Sequence, residues 1–260
     1  MMTPVLVERR GAVATVTLNR PDAGNSINVP LARALMEAAI ECDEDEAVRC
    51  VLLTGSGRFF CAGGDLGAIA AAGDRAAVLI KEITAYLHVA IARLANMDKP
   101  LVTAINGASA GAGLSLAILG DLALATPAAH FTAAYTAIGL SPDGGLTWLL
   151  PRLIGMRRAQ DLVLTNRRVP APEAATIGLV TRVTADGALM EEALATAGEL
   201  AAGATRALGQ ARRLLLGSLE SGLETQMDRE SRAIAAAMRT AHGREGIRAF
   251  LAKQKPDFSG

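Results

Sequence analysis

Two glycine-rich segments, each of which comes after a short apolar run, constrain the fold of this chain more than any other feature. The first apolar run spans residues 50–54, and the segment FCAGGDL follows it at residues 60–66. The second run, at residues 101–105, leads into the segment NGASAGAG at residues 106–113. Apolar runs of this length are typical of strands that are buried on both faces of an α/β fold. Two glycine-rich loops that follow such strands can direct two backbone N–H groups toward one point, which is how proteins stabilise an oxyanion.

Strands and helices alternate along most of the chain, which predicts an α/β fold. Residues 5–8 and 13–18 are rich in β-branched side chains and form a predicted antiparallel pair, and residues 121–126 form a further strand. Long and short helices are predicted for residues 74–96 and 111–119, and residues 106–110 are predicted to end a strand. Beyond about residue 187 the pattern is helical only. We therefore predict a core over residues 1–200 and a helical C-terminal region over residues 201–260.

Composition limits the classes of function. The chain has 260 residues, of which 51% are hydrophobic, so it can bury a large core without disulfide bonds or structural metals. Its 26 basic and 26 acidic side chains balance, which argues against nucleic acid or an anionic membrane surface as a partner. The three cysteines and three histidines are scattered, which predicts no metal site. Leader-like segments and long apolar runs are absent, so we expect a soluble cytoplasmic protein.

The second glycine-rich segment also admits two other interpretations. A dinucleotide-binding G-x-G-x-x-G loop that begins at Gly111 would need a glycine at position 116, where the chain has Leu116, so this interpretation fails. Residues 107–111 match G-x-S-x-G, the turn that presents a nucleophilic serine in hydrolases, and this match would make Ser109 a nucleophile. The alternative is that Ser109 is a small residue in a tight turn. A serine hydrolase explains one glycine-rich loop and leaves the other without a role.

The two loops together resemble those of the crotonase superfamily, which includes the enoyl-CoA hydratases and isomerases. FCAGGDL is similar to the family's F-x-A-G-x-D-L loop, and AING with AGAG, at residues 104–107 and 110–113, is similar to its second loop. The resemblance extends from LNRP at residues 18–21 to FLAKQKPDF at residues 250–258. It implies a ββα superhelix with a C-terminal helical trimerisation region, and a homotrimer or hexamer. It also implies an acyl-CoA thioester substrate, whose coenzyme A is the only cofactor.

The resemblance assigns thioester binding to the two loops. The coenzyme A moiety would lie along Ala62, Gly63, Gly64, Asp65 and Leu66. The oxyanion donors would be the backbone N–H groups of Gly64 and Ala112, and Ala112 stands where the family usually has glycine. An N–H in the first turn of a helix lacks an intrahelical partner and lies at the positive end of the helix dipole, which suits this role. Phe250 and Lys253 of the C-terminal tail would reach the coenzyme A of a neighbouring subunit.

Side chains near the acyl group determine the reaction. Hydratases of the family use two glutamates, which the resemblance places at Ser115 and Tyr135, and neither acyl-binding position is an acid here. Asp143, in the segment SPDGG, resembles the aspartate of phenylacetate-pathway isomerases and occupies the position of the nucleophilic aspartate of 4-chlorobenzoyl-CoA dehalogenase. His88 matches the general base of that dehalogenase, whereas Tyr135 replaces its tryptophan. The resemblance favours an isomerase in which Asp143 moves a proton between two carbons of an enoyl-CoA.

The same side chains leave other interpretations open. Asp143 would be the N-cap of the helix predicted after it, and His88 a half-buried packing residue, if neither took part in chemistry. Hydration through other acids, and substitution in which Asp143 is the nucleophile and His88 the base, are alternative reactions. A non-catalytic acyl-CoA-binding oligomer is the alternative outside enzymes, and a carboxylate in the acyl pocket argues against it.

Overall fold

The computed structural model describes residues 3–258, and two sheets organise these residues. The larger sheet contains, in spatial order, β1 (Val5–Arg10), β2 (Val13–Leu18), β3 (Cys50–Gly55), β5 (Leu101–Ile105), β7 (Leu122–Ala125) and β10 (Arg182–Val183). β1 and β2 are antiparallel, and the other neighbouring pairs of this sheet are parallel. The predicted N-terminal hairpin and the α/β class are both confirmed.

The smaller sheet follows the carboxyl ends of the larger sheet's strands. Its members are, in spatial order, β4 (Phe59–Cys61), β6 (Ala108–Ala110), β8 (His130–Thr132) and β9 (Val169–Pro170). Along the chain β4 comes after β3, β6 after β5 and β8 after β7. We predicted residues 106–110 as the end of one strand, and this is wrong for residues 108–110, which form the separate strand β6. Pairing with β4 and β8 defines β6, and such pairing leaves no local pattern in three residues.

Helices cover both faces of the larger sheet. Up to residue 176 they are α1 (Val29–Glu44), α2 (Leu66–Ala71), α3 (Ala76–Asn96), α4 (Ala112–Ala117), α5 (Leu146–Ile154), α6 (Met156–Thr165) and α7 (Ala171–Thr176). The C-terminal helices are α8 (Leu189–Ala202), α9 (Thr205–Ser218), α10 (Leu223–Met238) and α11 (Ala241–Leu251). Short 3-10 turns occupy Pro21–Ala23, Gly73–Arg75 and Thr136–Ile138.

Alternation of side chains in the central strands explains how the sheet is covered. Val51 and Leu53 of β3 face a core that includes α1 and α3, and Leu52 faces a second core that includes α8. All three side chains are fully buried. Successive side chains of a strand point to opposite faces, so a strand that is covered on both sides must be apolar throughout. This requirement is why β3 and β5 read as continuous apolar runs.

The predicted helices form with altered ends. The long helix predicted for residues 74–96 is confirmed as α3, whose first turn is replaced by the 3-10 turn Gly73–Arg75. The helix predicted for residues 111–119 is shorter than expected, because α4 spans only Ala112–Ala117. Both helices carry side chains that line the cavity described below.

The C-terminal region is helical, as predicted, and one buried arginine attaches it to the core. Arg212 of α9 donates to the Asp121 carboxylate and to the backbone carbonyls of Leu94, Met97 and Lys99. Only 7% of Arg212 is exposed, so these bonds hold α9 against the end of α3. The domain boundary predicted after residue 200 falls inside α8, which packs on the larger sheet. It stays a prediction, and the outermost residues of both predicted regions lie outside the described range.

Length and composition of the described helices bear on membrane insertion. Across residues 3–258, no helix combines the length and the apolar character that crossing a bilayer requires.

Candidate active site

A single apolar cavity brings together most of the residues that the sequence singles out. Its volume is about 300 Å³. Both glycine-rich loops contribute to its wall, and so does the loop that contains Asp143. The remaining lining consists mainly of aliphatic side chains from α2, α3, the position before α1 and the segment around the Thr136–Ile138 turn: Ile27, Leu66, Ile69, Ile80, Ile83, Thr84, Leu87, Ala134, Ile138 and Leu140. Among the lining residues that the structure describes, Asp143 supplies the only carboxylate.

Strand-like pairing orients the first glycine-rich loop. Ile27 donates its N–H to the carbonyl of Gly63 at 2.7 Å, and Asp65 donates to the carbonyl of Ile27 at 3.0 Å. This parallel bridge brackets Gly64, so the N–H of Gly64 points away from Ile27. Within residues 3–258 this N–H has no hydrogen-bond acceptor, and Gly64 lines the cavity. The loop therefore presents one free donor to the cavity.

The second glycine-rich loop presents another donor through an unusual backbone turn. Gly111 has φ 54° and ψ −128°, a conformation that residues with a side chain rarely adopt. The turn places Ala112 as the first residue of α4, where its N–H has no intrahelical acceptor. No other acceptor for this N–H exists in the described part of the chain. Ala112 also lines the cavity and is 6% exposed. Its φ is not in the left-handed region, so the backbone at this position accepts an alanine in place of glycine.

Close packing between the two loops sets the donors side by side. A Cβ at Gly63 would lie 2.8 Å from the carbonyl oxygen of Ala110, and one at Gly111 would lie 3.7 Å from the Cα of Gly63. Similarly, a Cβ at Gly113 would overlap the carbonyl oxygen of Cys61. The loops can approach this closely because Gly63 and Gly113 lack side chains. The result is one concave surface on which both free N–H groups lie.

The remaining residues of the first loop have defined partners. The N–H of Ala62 donates to the carbonyl of Gly24 at 2.9 Å. Asp65 is the N-cap of α2, where its Oδ1 accepts from the N–H of Ala68 at 3.1 Å, and its Oδ2 pairs with Arg20 at 3.0 Å. Leu66 is 51% exposed and lies at the cavity mouth. Asp65 therefore fixes the loop, and its carboxylate is not a lining group of the cavity.

Asp143 reaches the cavity because its backbone, not its side chain, secures the loop. The carbonyl oxygen of Asp143 accepts from the Ser115 hydroxyl at 3.0 Å and from the N–H of Leu146 at 3.2 Å. The N-cap of α5 is Gly145, which has no side-chain capping bond. The interpretation of Asp143 as a side-chain helix cap is therefore wrong. Its carboxylate is left to line the cavity and is 28% exposed.

Tyr135 contacts the Asp143 carboxylate directly. The Tyr135 hydroxyl donates to Oδ1 of Asp143 at 2.5 Å, and Tyr135 is only 9% exposed. Burial raises the pKa of the Tyr135 phenol well above its ordinary value, and the nearby Asp143 charge raises this pKa further. Tyr135 therefore stays protonated and acts as a hydrogen-bond donor.

His88 lies on the other side of the same carboxylate. Its Nε2 is 3.6 Å from Oδ2 of Asp143 and accepts the N–H of Gly144 at 3.2 Å. A ring nitrogen that accepts a backbone N–H carries no proton, which places the proton of the neutral ring on Nδ1. The His88 side chain is 51% exposed and is not among the cavity-lining residues. His88 thus lies within reach of Asp143 from the solvent side.

Besides Asp65 and His88, four residues that the sequence singled out do not line the cavity. Ser115 is 2% exposed, and its hydroxyl is used by the Asp143 backbone. Ser109 is 1% exposed in β6, and its hydroxyl has no hydrogen-bond partner among the described residues, which argues against an activated serine nucleophile. Phe250 and Lys253 lie at the C-terminal end of α11, where Phe250 is 81% exposed. A single copy of the chain does not bring these two residues to the cavity.

Sequence reasoning missed several contacts that shape the site. We assigned Tyr135 to the acyl group and did not anticipate its bond to Asp143, eight residues later. Nor did we anticipate the Gly144 N–H bond to His88, which lies 56 residues earlier. Both contacts depend on how the loop of residues 139–145 folds back on α3 and α4, and no sequence period encodes that fold.

Thiols and metal ligands offer no alternative chemistry at the cavity. Burial raises the pKa of the Cys61 thiol to about 12, which opposes a thiolate nucleophile there. Across residues 3–258, no three His, Cys, Asp or Glu side chains are grouped so that they could hold a metal ion. Among the described lining residues, the ionisable side chains are those of Asp143 and Tyr135.

Comparison with known proteins extends this description. The family model described as enoyl-CoA hydratase/isomerase matches residues 8–260. The chain is 38% identical to 1,2-epoxyphenylacetyl-CoA isomerase of Escherichia coli over 267 residues, covering 100% of both proteins. It is 33% identical to 4-chlorobenzoyl coenzyme A dehalogenase-2 of an Arthrobacter species, covering 96% of this chain and 91% of that protein.

Solved structures of similar sequence have the same fold. An enoyl-CoA hydratase from Polaromonas sp. JS666 superposes with a TM-score of 0.93 at 33% identity, over 97% of this chain and 98% of that one. Agreement at this level covers both sheets and the C-terminal helices. The chain therefore belongs to the enoyl-CoA hydratase/isomerase family and has the crotonase fold.

Proposed function

We propose that this protein is an enoyl-CoA isomerase that moves the double bond of its substrate by way of an enolate. The observation that carries the proposal is the placement of one carboxylate, that of Asp143, on the same cavity as the free N–H groups of Gly64 and Ala112. Two N–H donors aimed at a thioester oxygen stabilise the negative charge that develops there. A carboxylate beside the acyl chain then accepts and returns a proton.

The reaction requires only groups that line the cavity, together with the coenzyme A of the substrate. Asp143 takes a proton from one carbon next to the double-bond system, and the electrons of that C–H bond form an enolate. The enolate oxygen is held by Gly64 and Ala112. Asp143 then returns the proton to a different carbon of the same system, which shifts the double bond and restores the carboxylate. The mainly aliphatic lining suits an apolar acyl group.

Hydration receives less support from the side chains. The positions at which hydratases of the family hold glutamates are Ser115 and Tyr135. The Ser115 hydroxyl is engaged by the Asp143 backbone, and the Tyr135 phenol is held protonated by burial. Neither group can serve as a general base for an attacking water. Asp143 would then have to perform both proton transfers of hydration alone.

Nucleophilic substitution is the second candidate, because His88 lies close to Asp143. Its Nε2 is 3.6 Å from Oδ2 of Asp143, so the imidazole lies beside an ester formed on that oxygen and could activate the water that hydrolyses it. The 33% identity to a 4-chlorobenzoyl coenzyme A dehalogenase gives the same reaction weight. In this candidate the leaving group departs from an aroyl-CoA, and water then regenerates the carboxylate.

Assembly into a trimer or hexamer is part of the proposal. Several apolar side chains of the C-terminal helices are at least half exposed: Leu215, Leu219, Leu223, Met227, Ile234 and Phe250. Exposed apolar surface of this extent marks a protein interface. We place Phe250 and Lys253 of one subunit near the coenzyme A bound by its neighbour. Sedimentation as a monomer at micromolar concentration would contradict both parts of this assignment.

The test is to incubate the protein separately with a 3-enoyl-CoA, crotonyl-CoA and an aroyl-CoA. We expect the 3-enoyl-CoA to become a 2-enoyl-CoA of unchanged mass, with the double bond located by NMR. Crotonyl-CoA should not gain the mass of water, and the aroyl-CoA should leave no adduct on the protein. A hydrated product would replace isomerisation by hydration, and an adduct on Asp143 would favour substitution. No turnover of any of these substrates, despite binding, would favour a non-catalytic acyl-CoA-binding protein.

A further inference from the structure

The two oxygens of the Asp143 carboxylate have different surroundings. Oδ1 accepts the Tyr135 hydroxyl at 2.5 Å, which is a short charge-assisted hydrogen bond. Oδ2 is 3.6 Å from His88 Nε2, which is too far for a direct hydrogen bond. Moreover, that nitrogen already accepts the N–H of Gly144. Among these neighbours only Tyr135 holds the carboxylate, and it holds one oxygen.

Tyr135 is itself fixed within the wall of the cavity. Its carbonyl oxygen accepts from the N–H groups of Ile138 and Leu140, and its own N–H donates to the carbonyl of Ala133 at 2.9 Å. A Cβ at Gly111 would lie 3.9 Å from the Tyr135 Cζ, so the ring lies near the turn that precedes Ala112. The residue that holds the Asp143 carboxylate therefore neighbours the second glycine-rich loop.

We propose that Tyr135 is a positioning residue, which holds Oδ1 of Asp143 so that Oδ2 alone removes and returns the substrate proton. This inference rests on the proposed isomerase function. In the first step an O–H bond forms at Oδ2 while a C–H bond breaks and its electrons enter the enolate. In the second step that O–H bond breaks and a C–H bond forms at another carbon. The phenol proton stays on Tyr135 throughout, because Oδ1 accepts the same hydrogen bond in both protonation states of Asp143.

The hydrogen bond has a consequence for catalysis. A hydrogen bond to one carboxylate oxygen fixes the orientation of the other oxygen, which acts as the base. The titratable side chains next to this carboxylate are Tyr135 and His88, and the Ser115 hydroxyl bonds to the Asp143 backbone. Removal of the phenol hydroxyl therefore slows the proton transfers and leaves substrate binding unchanged.

The test compares Tyr135→Phe with Tyr86→Phe, which alters the other tyrosine of the chain. Tyr86 accepts from Arg33 at 2.6 Å and does not line the cavity, so it is a matched control. In Tyr135→Phe kcat should fall about 10–100-fold, the effect of losing one hydrogen bond to a charged group. KM should change little, and both constants of Tyr86→Phe should match those of the wild type.

A second variant covers the case in which Tyr135→Phe does not fold. Fluorotyrosine incorporated into the Tyr86→Phe protein changes only Tyr135, makes its phenol a stronger donor, and should alter kcat with little change in KM. A kcat equal to that of the wild type in both proteins overturns the positioning role. If the wild type isomerises no enoyl-CoA at all, the proposed function fails instead, and the two failures are distinguishable.

Discussion

The two glycine-rich loops and the loop that contains Asp143 meet at one cavity but contribute different parts of the protein to it. The glycine-rich loops contribute backbone N–H groups, at Gly64 and Ala112. The loop of residues 139–145 contributes the Asp143 side chain, which accepts from the Tyr135 hydroxyl, while the Asp143 backbone carbonyl accepts from Ser115. A backbone donor survives most substitutions of its own side chain, whereas a carboxylate does not. In the proposed function, the glycine-rich loops would determine the class of substrate and the Asp143 loop would determine the reaction.

Substitution of the carboxylate should have the largest effect on catalysis. Asp143→Asn keeps the shape of the side chain and removes the base, so kcat should fall by about 10²–10⁴-fold, the usual contribution of general acid–base catalysis. Affinity for acyl-CoA should change little, because the lost interaction is made mainly in the transition state. Steady-state kinetics and calorimetric titration measure the two quantities. Full activity of Asp143→Asn on every enoyl-CoA would show that the catalytic acid lies elsewhere.

Removal of one backbone donor should have the next largest effect. Ala112→Pro deletes an N–H that has no acceptor within the described residues, at the first helical position, where proline is tolerated. Gly111, with φ 54° and ψ −128°, has the mirror image of the extended conformation that precedes proline, and glycine can adopt it. We expect kcat to fall by about 10²–10³-fold, as when one oxyanion donor is lost.

The control for this change is Ala112→Gly, which keeps the N–H and should retain most activity. Thermal unfolding of both variants should stay close to that of the wild type. A proline variant with wild-type kcat would mean that this N–H does not stabilise the enolate, and the assignment of the second loop would be wrong.

The sequence predicted most of the larger sheet because its signals are local. β2 and β5 were predicted with the bounds that the structure has, since each strand is buried and bounded by turn residues. The smaller sheet was not predicted, because β4, β6, β8 and β9 have two or three residues each. Pairing between segments distant in sequence defines such short strands, and it leaves no periodic pattern.

The candidate site also has a part that the sequence predicted and a part that it did not. The sequence placed Gly64, Ala112 and Asp143 at one cavity, because motifs of fixed spacing mark them. It did not reveal that Tyr135 holds Asp143, or that Ser115 bonds to the Asp143 backbone. A tyrosine and a serine have many ordinary roles, and only the packing of the loop selects these. The positions that line the cavity were therefore easier to predict than the contacts that hold the Asp143 side chain and backbone.

Two adjacent glycines in the first loop allow the roles of packing and substrate approach to be separated. Gly63 has φ 99°, and a Cβ there would lie 2.8 Å from the Ala110 carbonyl oxygen. Backbone strain in Gly63→Ala should lower the free energy of unfolding by about 1–3 kcal/mol, and the overlap with the carbonyl oxygen should add to this loss. At Gly64 a Cβ would meet only the Cδ1 of Ile69, at 3.6 Å.

Gly64→Ala should accordingly leave the thermal unfolding temperature unchanged and weaken acyl-CoA binding, since its methyl group enters the cavity. Differential scanning calorimetry and a binding titration measure the two effects. Equal losses of stability in both variants would show that the loop needs glycine at both positions for folding. Weaker acyl-CoA binding by Gly64→Ala would then not be evidence that substrate approaches Gly64.

The smallest effect is expected at His88, and its size distinguishes the two reactions. In the isomerase His88 only accepts the N–H of Gly144, so His88→Gln, whose side-chain carbonyl can accept the same bond, should change kcat at most a few-fold. In the substitution reaction His88 activates the water that hydrolyses an ester on Asp143, so the same variant should accumulate that ester with an aroyl-CoA. Mass spectrometry of the intact protein detects the adduct, and Asp143→Asn is the control because it cannot form one. An adduct on His88→Gln that is missing from Asp143→Asn would show that Asp143 is a nucleophile and not a proton shuttle. The Asp143 loop would then carry out substitution, while the glycine-rich loops kept their role in binding the thioester.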